Sequence, residues 1–198
     1  MIPLNPDWRK GKGLTYRKDL VEWVDSHPEA SFYDLWEEAI DPEWLPHLAQ
    51  VGGAERQELI LAACAVARLC LHLIPPGENR PRIAIETAEA YTRESEGREQ
   101  AIKARDVLCS HCEININNSN PHRDAIYAVS TASYSAIFFA FAHPHFFAAY
   151  AADTAYWVLQ AGVESKVVCA TLRKHLNFER PREKGLTVWQ RLAKREEE

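Results

Sequence analysis

Eleven prolines punctuate this chain, and they constrain the fold more than any other feature. A proline lacks the backbone N–H that a helix interior or a central strand needs, so it marks an element boundary. Pro28, Pro42, Pro75-Pro76, Pro81, Pro121 and Pro144 separate stretches rich in Ala, Leu and Glu. Within those stretches apolar residues recur three and four apart. Alternating β-branched runs are absent, apart from the Val167-Val168 pair. The chain therefore reads as all-α: a compact bundle of about nine helices, mostly antiparallel neighbours with short joins.

The boundaries follow from cap chemistry. A first helix is expected over Tyr16 to Ser26, and Ser31 caps a second that carries Phe32, Leu35 and Trp36. Asp41-Pro42 offers a cap followed by proline, a start signal for a third helix that stops at Gly52-Gly53. The fourth is expected from Ala54 to Ile74, apolar on two faces and so central, and Pro75-Pro76-Gly77 ends it. Pro81 opens the fifth, to about Glu94, and the sixth runs from Gly97 to Cys112. An Asn-rich loop, Asn115 to Asn120, leads to a seventh that ends before Pro144. The eighth covers His145 to Ala161 with a stop at Gly162, and the ninth covers Glu164 to Leu176. Leu186, Val188, Trp189 and Leu192 give the tail a last amphipathic turn or two.

A length of 198 residues suits one domain with a real core. Its parts are an N-terminal helical extension (1–41), a core bundle (42–176) and a tail (177–198). The net charge of -5 argues against a dedicated nucleic-acid partner. Ala125 to Ala142 holds no Asp, Glu, Lys or Arg, but Ser130, Thr131, Ser133 and Ser135 interrupt it and no basic cluster flanks it. That is a buried helix rather than a membrane span. The start, Met1 to Lys10, carries no apolar run of signal-peptide length. Five cysteines, an odd number, then read as reduced thiols of a cytoplasmic protein.

No constellation identifies a reaction. Nucleophile elbow, P-loop, dinucleotide fingerprint and zincin helix are all missing. Cys109-x-x-Cys112, with His111 between, lacks the second pair that a structural zinc needs, so these read as core thiols with no metal. His143-Pro144-His145 reads as a helix corner whose histidines cap helix ends. No cofactor is expected.

Two places carry the functional argument. Asp153 is the single charged residue between Ala125 and Val163, among Tyr150, Thr154, Tyr156 and Trp157. A carboxylate in so apolar a segment is expected to be buried and paired, as an internal tie to Arg68 or His72 or as a pocket acid. The second place is Glu78-Asn79-Arg80-Pro81-Arg82 and the helix after it. Arg82, Glu86, Glu89 and Arg93 share a face there, with Arg82/Glu86 and Glu89/Arg93 spaced to pair. Glu78, Arg80, Arg82, Glu86 and Glu89 are candidate partner-binding residues; the structural alternative is that Arg80 or Arg82 folds inward and ties the fourth helix to the fifth, with Glu86 as its partner.

Trp44-Leu45 stands before a glycine pause. Ala62-Ala63-Cys64-Ala65-Val66-Ala67-Arg68 and Leu71-His72-Leu73 follow, then Glu78, Arg80-Pro81-Arg82, Ala84-Ile85-Glu86 and Ala88. Over about Pro42 to Leu172 this resembles the "immunity protein five-like" family of bacterial toxin–immunity systems. Arg80-Pro81-Arg82 with Ile85-Glu86 is its most specific piece. The resemblance implies a cytosolic protein that binds and neutralises a cognate protein toxin, without catalysis or cofactor. Ile137-Phe138-Phe139-Ala140-Phe141 departs from the alanine-rich ending usual in that family. The alternative is a small helical enzyme or ligand-binding bundle with an inter-helix pocket around Asp153, a bound metal being one option.

Overall fold

The computed structural model describes residues 7, 9, 17–94, 98–115, 123–137 and 145–178. Nine α-helices appear among the described residues, with no strand: α1 (Lys18–Asp25), α2 (Phe32–Glu38), α3 (Trp44–Gly52), α4 (Arg56–Arg68), α5 (Arg80–Glu94), α6 (Arg98–Asn115), α7 (Arg123–Ile137), α8 (His145–Gln160) and α9 (Ser165–His175). The all-α expectation holds, and the bundle is compact.

The core forms where small residues let helices approach. α4 turns Ala62, Ala63, Cys64, Val66 and Ala67 inward, and α7 and α8 add Ala125, Ala128, Ala132, Ala148, Ala151 and Ala155. Leu59, Ile60, Ile85, Leu108, Phe147 and Leu172 fill the space between them. Each such large side chain contributes about 1.5–3 kcal/mol by leaving water. α7 and α8 form the most extensive helix pair, and α4 packs on α5, α7, α8 and α9. The fourth helix is central, as its two apolar faces require.

Its length differs from the expectation. α4 ends at Arg68, and Leu71–Leu73 forms a 3-10 turn instead of a further α-helical stretch. The Leu69 and Cys70 N–H groups bond three residues back, to Val66 O at 3.0 Å and Ala67 O at 3.3 Å. The tightening turns the chain toward Pro75 and frees the Cys70 thiol to donate to Ala67 O at 3.0 Å.

The start of the third helix also shifts. Asp41 Oδ1 accepts from the Glu43 N–H at 2.9 Å, and the Trp44 N–H bonds Asp41 O at 3.1 Å. Asp41-Pro42 thus makes a turn, and α3 begins two residues later. Pro46 then lies within the first turn of α3, where its missing N–H has no intrahelical partner to lose. Gly53, at φ 109°, ends α3 in the left-handed region that favours glycine.

Ser31 caps α2 as expected, through a reciprocal box with Asp34: the Asp34 N–H donates to Ser31 Oγ at 3.2 Å, and the Ser31 N–H donates to Asp34 Oδ2 at 3.0 Å. Neither α1 nor α2 has a basic residue in its own last turn. Arginines distant in sequence serve both C-terminal ends. Arg9 donates to Val24 O at 3.5 Å, His27 O at 3.0 Å and Ala30 O at 2.7 Å. Arg173 on α9 donates to the carbonyls of Trp36, Glu37 and Ala39. Guanidinium groups satisfy orphan carbonyls and the negative end of the helix dipole together. Phe178 closes this end of the bundle against Phe32 and Trp36, with ring centroids 4.9 and 5.0 Å apart.

No helix among the described residues is long and apolar enough to cross a membrane.

Candidate functional site

The corner before α5 is built by its prolines. Pro75-Pro76-Gly77 turns the chain, with Gly77 at φ 89° and the Glu78 N–H bonded to Pro75 O at 3.1 Å. Glu78 is held in place by Arg80: its Oε1 accepts from the Arg80 backbone N–H at 3.0 Å and from Arg80 Nε at 2.7 Å, while Oε2 meets Nη2. Pro81 follows, buried in the first turn of α5. Beyond it Arg82 and Glu86 are both exposed. They form no pair with each other, so the expected Arg82/Glu86 bridge is absent. Ile83 between them is 47% exposed.

Glu89 belongs to the fold. Its two carboxylate oxygens accept from Arg68 Nε at 2.9 Å and Nη2 at 3.0 Å, and Arg93 lies 3.8 Å away. This is the tie between the fourth and fifth helices, made by Arg68 and Glu89 in place of Arg80, Arg82 or Glu86. The Glu89 hydrogen bonds raise the Arg68 pKa above its ordinary value. The five candidate residues therefore divide. Arg82 and Glu86 point outward, Glu78 and Arg80 brace the turn, and Glu89 braces the helix pair.

Asp153 corrects the expectation of a buried, paired acid. It is exposed on α8, and it forms no hydrogen bond or ion pair with a described residue. Arg68 is committed to Glu89, and His72 is exposed with Nδ1 2.8 Å from Leu69 O, so neither is its partner. Its surroundings still raise its pKa: partial desolvation first, then repulsion from Glu43, opposed by attraction to Arg17. Arg17 cannot neutralise it, because that guanidinium is divided between Asp19, at 3.0 and 2.9 Å, and Glu43, at 2.7 Å.

Beside Asp153 runs a row of rings. Tyr127 of α7 stacks on Trp157 of α8 at 4.7 Å, and Tyr134 of α7 stacks on Tyr150 of α8 at 6.4 Å. Between the two stacks Thr154 Oγ1 donates to Thr131 Oγ1 at 3.2 Å. The Arg105 guanidinium sits over the Tyr134 ring, 4.6 Å from its centroid. Burial, with Tyr134 and Asp153 nearby, pushes the Tyr150 hydroxyl pKa upward. The sequence displayed this row as aromatic residues at helical spacing on both helices. Their facing register required the helix pairing to be known.

Shallow clefts lie elsewhere. One, of about 200 Å³, is lined by Tyr33, Asp34, Glu37, Glu38 and Phe178. Another, of about 150 Å³, lies at the α5 corner between Leu71, Ile74, Pro75, Glu78 and Arg82. Among the described residues no group of three His, Cys, Asp or Glu is placed to hold a metal ion. Cys64 and Cys70 are buried thiols, each pushed up to about 12 chiefly by burial. The side chains of Cys109, His111, Cys112 and His145, together with His143, Pro144 and the tail from residue 179, lie outside the described residues. No family model, no curated protein and no solved structure matches the chain.

Proposed function

We propose that this chain is a binding protein of the immunity type, one that occupies and neutralises a cognate bacterial protein toxin in the cytosol without chemistry of its own. The α5 corner is the observation that carries the reading. A proline-braced turn holds Arg82, Ile83 and Glu86 outward on a rigid helix start, and the side chains of Arg82 and Glu86 form no hydrogen bond or ion pair with a described residue. Two opposite charges around an exposed aliphatic centre favour specific and fast protein association. The same segment carries the sharpest part of the family resemblance.

The test is co-expression with the product of the neighbouring gene, once that product is shown to be toxic when expressed alone. The charge-reversal pair Arg82→Glu with Glu86→Arg is scored for cell survival and for melting temperature. Lost protection at unchanged melting temperature supports the reading. Full protection removes the corner from the interface, and failure of the wild-type chain to protect removes the immunity reading itself.

A further inference from the structure

The outward face of α8 is unlike the rest of the surface. Phe146, Ala149, Tyr150, Asp153, Tyr156, Trp157 and Gln160 follow one another at three- and four-residue steps, and all are exposed or half-buried. The remaining α8 positions from Phe147 to Val158 are buried. Phe146 is 54% exposed and Tyr156 40%. In a chain with 26% charged residues, this face carries one charge, Asp153. Single exposed apolar residues are ordinary, but a contiguous aromatic stripe along a whole helix marks a surface that is covered in use.

We propose that this face is a protein-docking surface whose partner brings an arginine or lysine, flanked by apolar side chains, onto Asp153 between Tyr150, Tyr156 and Trp157. Charge decides the occupant. Among the described residues Asp153 and Glu43 lie near one another at the edge of the stripe, and the cation that acts on Asp153, Arg17, is spent on Asp19 and Glu43. Among the described residues the uncompensated charge at this edge is negative, so the group that suits it is a cation. A second copy of the chain is the wrong occupant. A two-fold contact through this face would bring two copies of the same acidic edge together.

The rings suit that cation. Tyrosine and tryptophan are the side chains that anchor protein interfaces, and their faces attract guanidinium and ammonium groups. Arg105 already lies over Tyr134 in this row, so the molecule itself displays the contact one ring away. The row is also fixed in advance. The Tyr127–Trp157 and Tyr134–Tyr150 stacks and the Thr154–Thr131 bond hold it, so little side-chain freedom is lost on binding. The inference rests on the binding-protein reading for the class of partner, and on neither the toxin nor the α5 corner.

A random peptide library displayed on phage, panned on the intact protein, tests it. Enriched peptides are expected to carry Arg or Lys among apolar residues. Made synthetically, they should bind Asp153→Arg or Tyr156→Ala about tenfold or more weakly, while Arg82→Glu binds them as wild type does. Melting temperatures of the variants establish that they fold, and Asp153→Asn serves as the milder variant should Asp153→Arg be unstable. Peptides without a cation, equal affinity for the Asp153 variants, or no enrichment overturns the proposal. So does a wild-type dimer in analytical ultracentrifugation that Asp153→Arg dissociates, because the occupant is then a second copy. Since no toxin is used, failure here leaves the survival assay above free to stand or fall separately.

Discussion

Arg68 and Glu89, twenty-one residues apart, meet as a fork on a fork: two parallel hydrogen bonds at 2.9 and 3.0 Å join α4 to α5. The guanidinium is about one-third exposed and the carboxylate mostly covered. Screening therefore reduces the pair without abolishing it. Removing one partner leaves the other poorly solvated. Glu89→Gln is expected to lower stability by about 1–2 kcal/mol, measured by urea unfolding. In a double-mutant cycle with Arg68→Met the two losses should fall short of adding. Full additivity would mean that the two side chains do not interact in solution.

Asp153 yields a prediction of the opposite sign to the one its sequence context suggests. Its folded pKa is raised, so the native state holds that proton more tightly than the unfolded chain does. Stability from this group is full below the unfolded carboxylate pKa and is lost as pH rises through the raised folded value. At neutral pH the ionised group is then a net cost. Asp153→Asn should stabilise the protein at pH 7 by a few tenths of a kcal/mol, since the group is exposed and solvent-screened. The gain should vanish on acidification below the unfolded pKa. Thermal melts of both proteins from acid to neutral pH check it, and destabilisation by Asp153→Asn at pH 7 would contradict it.

Gly52 sits where a side chain has no room. A Cβ there would lie 2.5 Å from the tip of the Phe32 ring and 3.0 Å from Phe178. Phe32 is itself buried between Trp36 and Phe178 and cannot swing aside freely. Gly52→Ala is expected to cost about 1–3 kcal/mol by overpacking, despite the better helix propensity of alanine. Paired with Phe32→Leu, the alanine should cost less than it does alone. Chemical denaturation of the single and double variants gives the comparison.

Arg173 supplies three carbonyls at the end of α2. Arg173→Met keeps much of the stem and removes every donor. A loss of about 2–3 kcal/mol is expected, from charged hydrogen bonds and orphaned carbonyls. Arg173→Lys should recover only part of it, because an ammonium lacks the planar fork that reaches several acceptors. Melting temperatures of the two variants rank them, and equal values would deny the fork its role.

Much of the fold was legible in local chemistry. The Ser31 cap, the glycine stops at Gly53 and Gly162 and the extent of α9 depend on residues close to each boundary, and the structure places them within a residue or two. Other features depended on partners far along the chain. Nothing near Ala39 announces that Arg173 will satisfy its carbonyl, and nothing near Arg68 names Glu89. Asp153 was misjudged for a related reason. An apolar neighbourhood in sequence became an apolar outer face in space, because α8 buries Ala148, Ala151, Ala152 and Ala155 with Phe147 and presents Phe146, Tyr150, Tyr156 and Trp157. Helical spacing fixed which residues share that face, but small residues packing inward decided which face turned out.

The joint between α2 and α3 is completed by α9: Ser165 Oγ donates to Ile40 O at 2.9 Å, and Arg173 holds Ala39 O across 134 residues of chain. A ribosome adding roughly 5–20 residues each second takes on the order of ten seconds to cover that separation. Throughout that interval the newborn α2 has its capping box but not its closing guanidinium. The N-terminal helices should therefore be the part of the nascent chain most open to chaperones and proteases, and their protection should arrive abruptly when α9 emerges.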